Sequence, residues 1–345
     1  MKMSTLRGGL LLMGLLSPCM AIAQADVHFS QFYETTVLRN PALVGVAEQD
    51  YKISVLYRNQ WATIANPFQT GMLNAEGRFP VSFSSSDFVS VGLLGYYDKA
   101  GSVDRKITSF YPAVNYSKCL DNNTNTYLSM GFTGGYLQYS FDPTKATFNN
   151  QYQNGYVPTI PGENIASSRL GTFDVGAGLN LSTIRGANKD ILYMVGVSAY
   201  HLTRPSNSFY KDPTMNLAMR WNANAGFSKQ ATDEVVYQVH VNYAQQGQFR
   251  EIVGGGMLGW NMIQKGGAAN IFTIYGGLFY RHKDAVIPTF KLRYKDLAFS
   301  MSYDVNISKL KAATNMRGGY EIMITKSGMF PNNDAAAGKV MCPRF

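Results

Sequence analysis

Apolar side chains recur at every second residue through long segments of this chain, a period that fits extended strands with one face buried. In 235–243 the odd positions are Val235, Tyr237, Val239, Val241 and Tyr243, and Gln238, His240 and Asn242 take the other face. Residues 297–307 repeat the pattern, with Leu297, Phe299, Met301, Tyr303, Val305 and Ile307 set against Ala298, Ser300, Ser302, Asp304 and Asn306. In 217–227, Leu217, Met219, Trp221 and Phe227 oppose Arg220, Asn222 and Asn224. In 288–295 the polar face is basic, with Thr289, Lys291, Arg293 and Lys295 against Pro288, Phe290, Leu292 and Tyr294.

A soluble β-sandwich alternates in the same way, so the period alone does not choose an architecture. Length helps, because these segments run to about ten residues or more and sandwich strands to about five or six. Their apolar faces carry Tyr, Phe or Trp near the ends, as the aromatic girdles of an outer-membrane barrel require. Charged residues make up only 15% of the chain, against about a quarter in soluble proteins. No run beyond the N-terminus approaches the roughly 20 apolar residues that a membrane helix needs. The sequence therefore predicts an all-β transmembrane barrel, with a secreted sandwich or solenoid as the competing architecture.

The N-terminus supplies the route. Lys2 and Arg7 precede an apolar stretch over 8–16, and Ala21-Ile22-Ala23 follows in the small-x-small pattern of a signal-peptidase site. Cleavage is expected between Ala23 and Gln24. Cys19 raises a lipoprotein alternative, which Pro18 immediately before it fits badly. The formal charge of +9 becomes +7 once residues 1–23, with two basic and no acidic side chains, are removed.

Fourteen antiparallel strands are expected, at 51–60, 68–79, 87–98, 105–118, 125–140, 173–184, 190–202, 215–229, 234–247, 250–264, 270–282, 285–295, 296–307 and 314–326. An even count suits a closed bacterial barrel, since closure removes edges that lipid cannot satisfy. Connections after even-numbered strands are short, whereas 142–172 and 203–214 follow odd ones. Short turns face the periplasm in such barrels and long loops face outward, which puts both termini in the periplasm. The domains are then a signal peptide (1–23), an N-terminal segment that is a plug or a periplasmic contact (24–50), the barrel (51–326) and a periplasmic tail (327–345). Cys119 and Cys342 fall on one side of the membrane, so a disulfide between them is sterically open, with two separate thiols as the simpler reading.

Catalytic readings do not assemble. His28, His201, His240 and His282 lack a second His, Cys or carboxylate at a metal-binding spacing. Arg281-His282-Lys283-Asp284 reads as a strand cap, and His240 and Asp304 lie several strands apart. No cofactor, metal or enzymatic activity is expected. Arg220, Lys291, Arg293 and Lys295, with Arg58 and Lys52, point to a polar and basic lumen in which Asp304 and Glu321 can pair. In an exported barrel this positive charge serves the lumen or anionic lipid headgroups and not nucleic acid. Gly254-Gly255-Gly256, inside a strand, marks close packing or a bend.

Several words of the sequence resemble one family. His28-Phe29-Ser30-Gln31-Phe32-Tyr33, Arg39-Asn40-Pro41-Ala42-Leu43, Tyr57-Arg58-Asn59-Gln60-Trp61 and Tyr97-Asp98-Lys99-Ala100-Gly101 appear in order. They are followed by Arg204-Pro205-Ser206-Asn207-Ser208-Phe209-Tyr210, Lys283-Asp284-Ala285, Tyr303-Asp304-Val305-Asn306, Arg317-Gly318-Gly319 and the closing Cys342-Pro343-Arg344-Phe345. Together they resemble the PorP/SprF family, outer-membrane barrels of the type IX secretion system of Bacteroidota. The resemblance implies a role in protein secretion, docking cargo that bears a C-terminal secretion domain, such as a surface adhesin. It also implies partners among periplasmic lipoproteins of the ring and peptidoglycan-binding types, and a service to gliding motility in some species. The partner-contact candidates are the matching positions: Asn40, Pro41, Arg58, Gln60, Trp61, Asp98, Lys99, Arg204, Asn207, Phe209, Lys283, Asp284, Asp304, Arg317, Cys342, Pro343, Arg344 and Phe345. Asn40-Pro41-Ala42 is expected to turn the N-terminal segment into the barrel mouth. The alternative function is an outer-membrane diffusion channel or hydrophobic-solute transporter, because the Asn-Pro-Ala start is also similar to that of fatty-acid transporter barrels.

Overall fold

The computed structural model describes residues 26–46, 49–62, 66–81, 86–147, 167–186, 188–210, 212–263, 270–309 and 311–330. The signal-cleavage pair Ala23 and Gln24, and the tail residues Cys342, Pro343, Arg344 and Phe345, lie outside them. Fourteen strands close on themselves: β1 (Tyr51–Gln60), β2 (Phe68–Pro80), β3 (Phe88–Ala100), β4 (Arg105–Asp121), β5 (Thr126–Ser140), β6 (Arg169–Arg185), β7 (Ile191–Tyr200), β8 (Arg220–Gln230), β9 (Val235–Gln246), β10 (Phe249–Ile263), β11 (Asn270–Arg281), β12 (Ala285–Tyr294), β13 (Leu297–Asn306) and β14 (Arg317–Gly328). Each strand pairs antiparallel with its neighbours in sequence, and β1 pairs with β14 from Tyr51↔Gly328 to Gln60↔Gly319 to seal the wall. Among the described residues no helix is long and apolar enough to cross a membrane.

The alternation read from the sequence sorts side chains between lipid and lumen. Outward positions are apolar and open on the isolated chain, as at Val55 (54% exposed), Phe132 (55%) and Leu278 (58%). Two aromatic bands bound this belt. Tyr57, Tyr97, Tyr136, Trp221, Tyr280, Tyr303 and Tyr320 face outward near the end that carries the long connections, and Phe79, Tyr116, Tyr193, Tyr237, Trp260 and Tyr294 near the end of short turns. Interfacial aromatics flanking an apolar band are the signature of a barrel in lipid.

Two strand starts, those of β6 and β8, differ most from the sequence reading. β6 starts at Arg169, because Gly171 and Thr172 continue the ladder with Gln138 and Leu137 of β5. β8 starts at Arg220 and not near 215. His201 takes a left-handed φ of 57° and ends β7, so 215–219 has no neighbouring strand to join. Asn216 instead bridges to Ser206 within the loop.

The lumen holds more than the polar and basic interior expected. Leu56, Met72, Leu94, Leu137 and Met323 point inward and pack around Phe29, Val37 and Val44 of the N-terminal segment. Phe279, Ile287, Val253 and Met257 pack similarly around Phe32. Inward carboxylates, among them Glu76, Asp174, Glu251, Asp304 and Glu321, match the inward cations.

Candidate functional site

Residues 26–46 thread the lumen from one end to the other. Asp26 lies at the long-loop end, where its carboxylate meets His201 at 2.6 Å and Arg220 at 3.5 Å, and its N–H donates to Gln246. Asp50 lies at the opposite end, bound to Arg78 at 3.2 Å and receiving the N–H of Phe330. The first described residues and the end of β14 are therefore at opposite ends of the barrel, whereas both termini, which lie outside the described residues, are expected on one side. Strand count fixes where β1 starts but not the path of the chain that precedes it.

The first half of this segment is anchored by ions. Ser30 and Gln31 donate their backbone N–H groups to the two carboxylate oxygens of Glu321, at 2.6 and 2.9 Å. The Ser30 hydroxyl donates to Asp304 at 2.5 Å and accepts from Arg281 at 2.8 Å. Arg58 lies 3.2 Å from Glu321 and 3.6 Å from Asp304 and donates to the carbonyl of His28. Arg281 pairs with Asp304 and Asp284, at 3.0 and 3.1 Å, and lies 3.5 Å from Glu251. Farther along, Glu34 joins Lys291 (2.5 Å) and Lys52 (3.0 Å), and Tyr33 stacks between His240 and Phe279 with ring centroids 5.3 and 5.0 Å away. The contacts of Glu34, Arg58, Arg281, Lys291, Asp304 and Glu321 are made by buried charged groups, and charge-assisted hydrogen bonds are the class that holds most strongly.

Asn40-Pro41-Ala42 grips the middle of the wall and not its mouth. The Asn40 side-chain oxygen accepts from the Ala42 N–H at 2.9 Å, capping the single 3-10 turn Pro41–Leu43 in which proline takes the first position. Its amide nitrogen donates to the carbonyls of Leu179 and Val197 and to Asn224, at 3.0, 3.3 and 3.0 Å. Three inward glycines on adjoining strands make room. A Cβ at Gly131 would overlap the Pro41 and Ala42 backbone, and one at Gly178 or Gly196 would overlap the Asn40 side chain. Sequence reasoning missed this cradle. The available signal was glycine at inward positions of strands, which marks a close approach of another backbone. Arg39 next door donates to the carbonyls of Ala225 and Val241 and lies over the Phe32 ring at 5.3 Å.

The family-word residues fall into two groups. Asn40, Pro41, Arg58, Asp98 and Asp304 are buried in the lumen, Asp98 accepting from Thr70 at 2.7 Å. Gln60, Trp61, Lys99, Arg204, Asn207, Phe209, Lys283, Asp284 and Arg317 gather at the long-loop end. There Trp61 packs on Phe68, Lys99 pairs with Asp104 at 3.0 Å, and Phe209 packs edge-on to Phe141, while Arg204, Lys283 and Arg317 are exposed. Of the cations assigned to the lumen, Arg220 and Lys291 are there, and Arg293 lines a cavity between the segment and the wall near the short-turn end, together with Arg39, His240 and Lys52. Lys295 is not in the lumen. The two-residue β12–β13 turn carries it out, with φ of 51° and its ammonium near the Tyr294 ring. The Cys119 sulfur lies 3.1 Å from the Asn122 oxygen, and Cys342, the disulfide partner considered for it, lies outside the described residues.

His201, in the connection after β7, sits between two carboxylates, with Asp26 on one ring nitrogen and Asp174 2.9 Å from the other. Burial pulls its pKa down, but the two carboxylates outweigh this and raise it to about 9. On the neighbouring loops, hydrogen bonds from Lys145 and Lys99 lower Asp104 to about 2. Among the described residues no three His, Cys, Asp or Glu side chains gather as metal ligands. His240 and Asp304 are apart, one on Tyr33 and the other on Ser30 and Arg281.

No curated protein matches the chain in sequence. Its fold is similar to the CymD monoaromatic hydrocarbon channel (10% identity, TM-score 0.49, 85% of this chain and 92% of that one). It is also similar to the Pseudomonas putida toluene transporter TodX (9%, TM-score 0.46, 84% and 93%). With CdiB from Acinetobacter baumannii (8%, TM-score 0.41) the match covers 81% of this chain and 60% of that one, less than two thirds of its length. The model of the type IX secretion system membrane protein PorP/SprF matches residues 21–325. With that match over most of its length, the chain belongs to the PorP/SprF family of type IX secretion membrane proteins, and its barrel points to the outer membrane.

Proposed function

We propose that this protein is a closed, non-enzymatic outer-membrane docking component of type IX secretion. It holds secreted cargo bearing a C-terminal secretion domain, such as a surface adhesin, at its long-loop end. Residues 327–345 reach periplasmic lipoproteins of the ring and peptidoglycan-binding types at the other end, and in gliding cells the held adhesin serves motility. The observation that carries this reading is the lumen filled by 26–46, with Glu321, Asp304 and Lys291 of the wall bound to that segment. A barrel occupied by its own chain is poorly suited to free diffusion, which weighs against the channel and solute-transporter alternative.

The test is affinity isolation of the tagged full chain from gently solubilised outer membranes, with mass spectrometry of co-purifying proteins and planar-bilayer recording of the same sample. Type IX lipoproteins or a large surface protein together with negligible conductance support docking. A barrel that emerges alone and conducts steadily overturns it. Removing residues 338–345 separates the two ends, with lipoprotein recovery falling and cargo recovery at the long-loop end unchanged.

A further inference from the structure

Charge on the lipid-facing wall is sorted by sign. The charged side chains at outward strand positions are Lys99, Lys106, Arg169, Arg250 and Arg317 toward the long-loop end, and Lys118, Arg185, Lys229 and Lys326 toward the short-turn end. The wall's carboxylates point into the lumen, apart from Asp121 at the last position of β4. That carboxylate accepts from the Asn123 N–H and Thr124 hydroxyl of its own turn, at 2.9 and 2.6 Å.

Within this pattern one group is aligned in register. Lys99 of β3 is directly opposite Lys106 of β4, Lys106 is opposite Ser140 of β5, and Ser140 is opposite Arg169 of β6. Three cations and a hydroxyl thus form a row across four strands, beyond the band made by Tyr97, Tyr136 and Phe173. Neighbouring strands lie about 4.8 Å apart, and like charges directly opposite one another destabilise a sheet. The nearest acids relieve the row only at Lys99. Asp104 is shared between Lys99 and Lys145, at 3.0 and 2.5 Å, and Asp142 accepts from Thr144 in its own turn. Lys106 and Arg169 are in no ion pair among the described residues.

We propose that Lys99, Lys106, Ser140 and Arg169 bind the phosphate of a lipid headgroup of net negative charge in the facing leaflet. The row sits just beyond the aromatic band, which marks the level of the headgroups. Lysine and arginine on the lipid face keep their stems along the apolar belt and reach their charges to that level. An anion there offsets the repulsion between Lys99 and Lys106, and Arg169 presents a planar fork to phosphate oxygens. The lipid's acyl chains then lie along the outward Leu93, Phe110 and Phe132, giving the site an apolar half.

The test uses the full chain in nanodiscs of equimolar phosphatidylglycerol and phosphatidylcholine, with native mass spectrometry of the lipid that stays bound after release. The wild-type barrel retains phosphatidylglycerol over phosphatidylcholine several-fold, and a Lys106→Gln, Arg169→Gln double variant loses most of that preference. A second measurement separates binding from folding. In pure phosphatidylcholine the Lys106→Gln variant unfolds at the wild-type temperature or above it, because one repulsive partner is gone. Undiminished phosphatidylglycerol preference in the double variant overturns the site. So does a drop in the Lys106→Gln unfolding temperature in phosphatidylcholine, which would make the row structural.

Discussion

The backbone of Pro41 lies against Gly131 so closely that even a methyl group on that glycine would overlap the Pro41 carbonyl. One inward position of β5 thus decides whether the N-terminal segment can seat. Gly131→Leu is expected to displace the segment and turn a quiet barrel into a conducting one in planar bilayers, with the wall still folded. Gly276→Leu on the outward face, where a Cβ meets nothing within 4 Å, is expected to leave conductance unchanged.

Arg58 lies between Glu321 and Asp304, both buried. Arg58→Ala leaves two carboxylates in the lumen with less compensation. Breaking a buried pair by removing one partner costs about 3–5 kcal/mol. The temperature at which the barrel loses its compact gel mobility should fall markedly, and Glu321→Gln added to Arg58→Ala should restore part of it.

His201 gives the anchoring at the long-loop end a pH dependence. Its pKa is raised in the folded protein, to about 9 from an ordinary 6.5. Its stabilising contribution is therefore complete below about 6.5 and is lost as pH rises through about 9. A spin label on the cysteine of a Val27→Cys variant, with Cys119→Ala and Cys342→Ala, should become more mobile between pH 7 and pH 10. His201→Asn should abolish that transition and leave the label mobile throughout.

Phe209 and Arg204 share a loop but separate two roles. Phe209 packs on Phe141 with ring centroids 5.0 Å apart, whereas Arg204 is exposed. Phe209→Ala should increase protease cleavage of the β7–β8 connection. Arg204→Ala should leave cleavage and unfolding temperature unchanged while lowering the amount of cargo recovered with the barrel.

How much of this was legible follows from which forces are local. The wall was readable because period two is written into each strand. β1 was placed at 51–60 as observed, and the β8 boundary slipped only where His201 withdrew the partner strand. The polar grip on the segment was half readable, since Arg58, Asp304 and Glu321 stood out as lumen candidates for pairing. Their common partner, the Ser30-Gln31 backbone, did not, because peptide N–H groups carry no sequence signature. The apolar lumen at Leu56, Leu94 and Met323 was hidden for a related reason. Those side chains turn inward only because Phe29, Val37 and Val44 are there to cover them, some 290 residues away from Met323 in the farthest case. Gly131, Gly178 and Gly196 are informative only once the register aligns them.

The threaded segment also constrains how the molecule can be made. Residues 26–46 run through the lumen from one end to the other, and the chain then returns into the wall at Tyr51, whose strand forms one side of the β1–β14 seam. Once that seam zips, a segment left outside can enter only by being drawn lengthwise through the ring. Biogenesis therefore favours a curled, still-open sheet that captures Phe29, Phe32 and Asn40 before its edges meet, so that the plug acts as the mandrel around which the cylinder is closed.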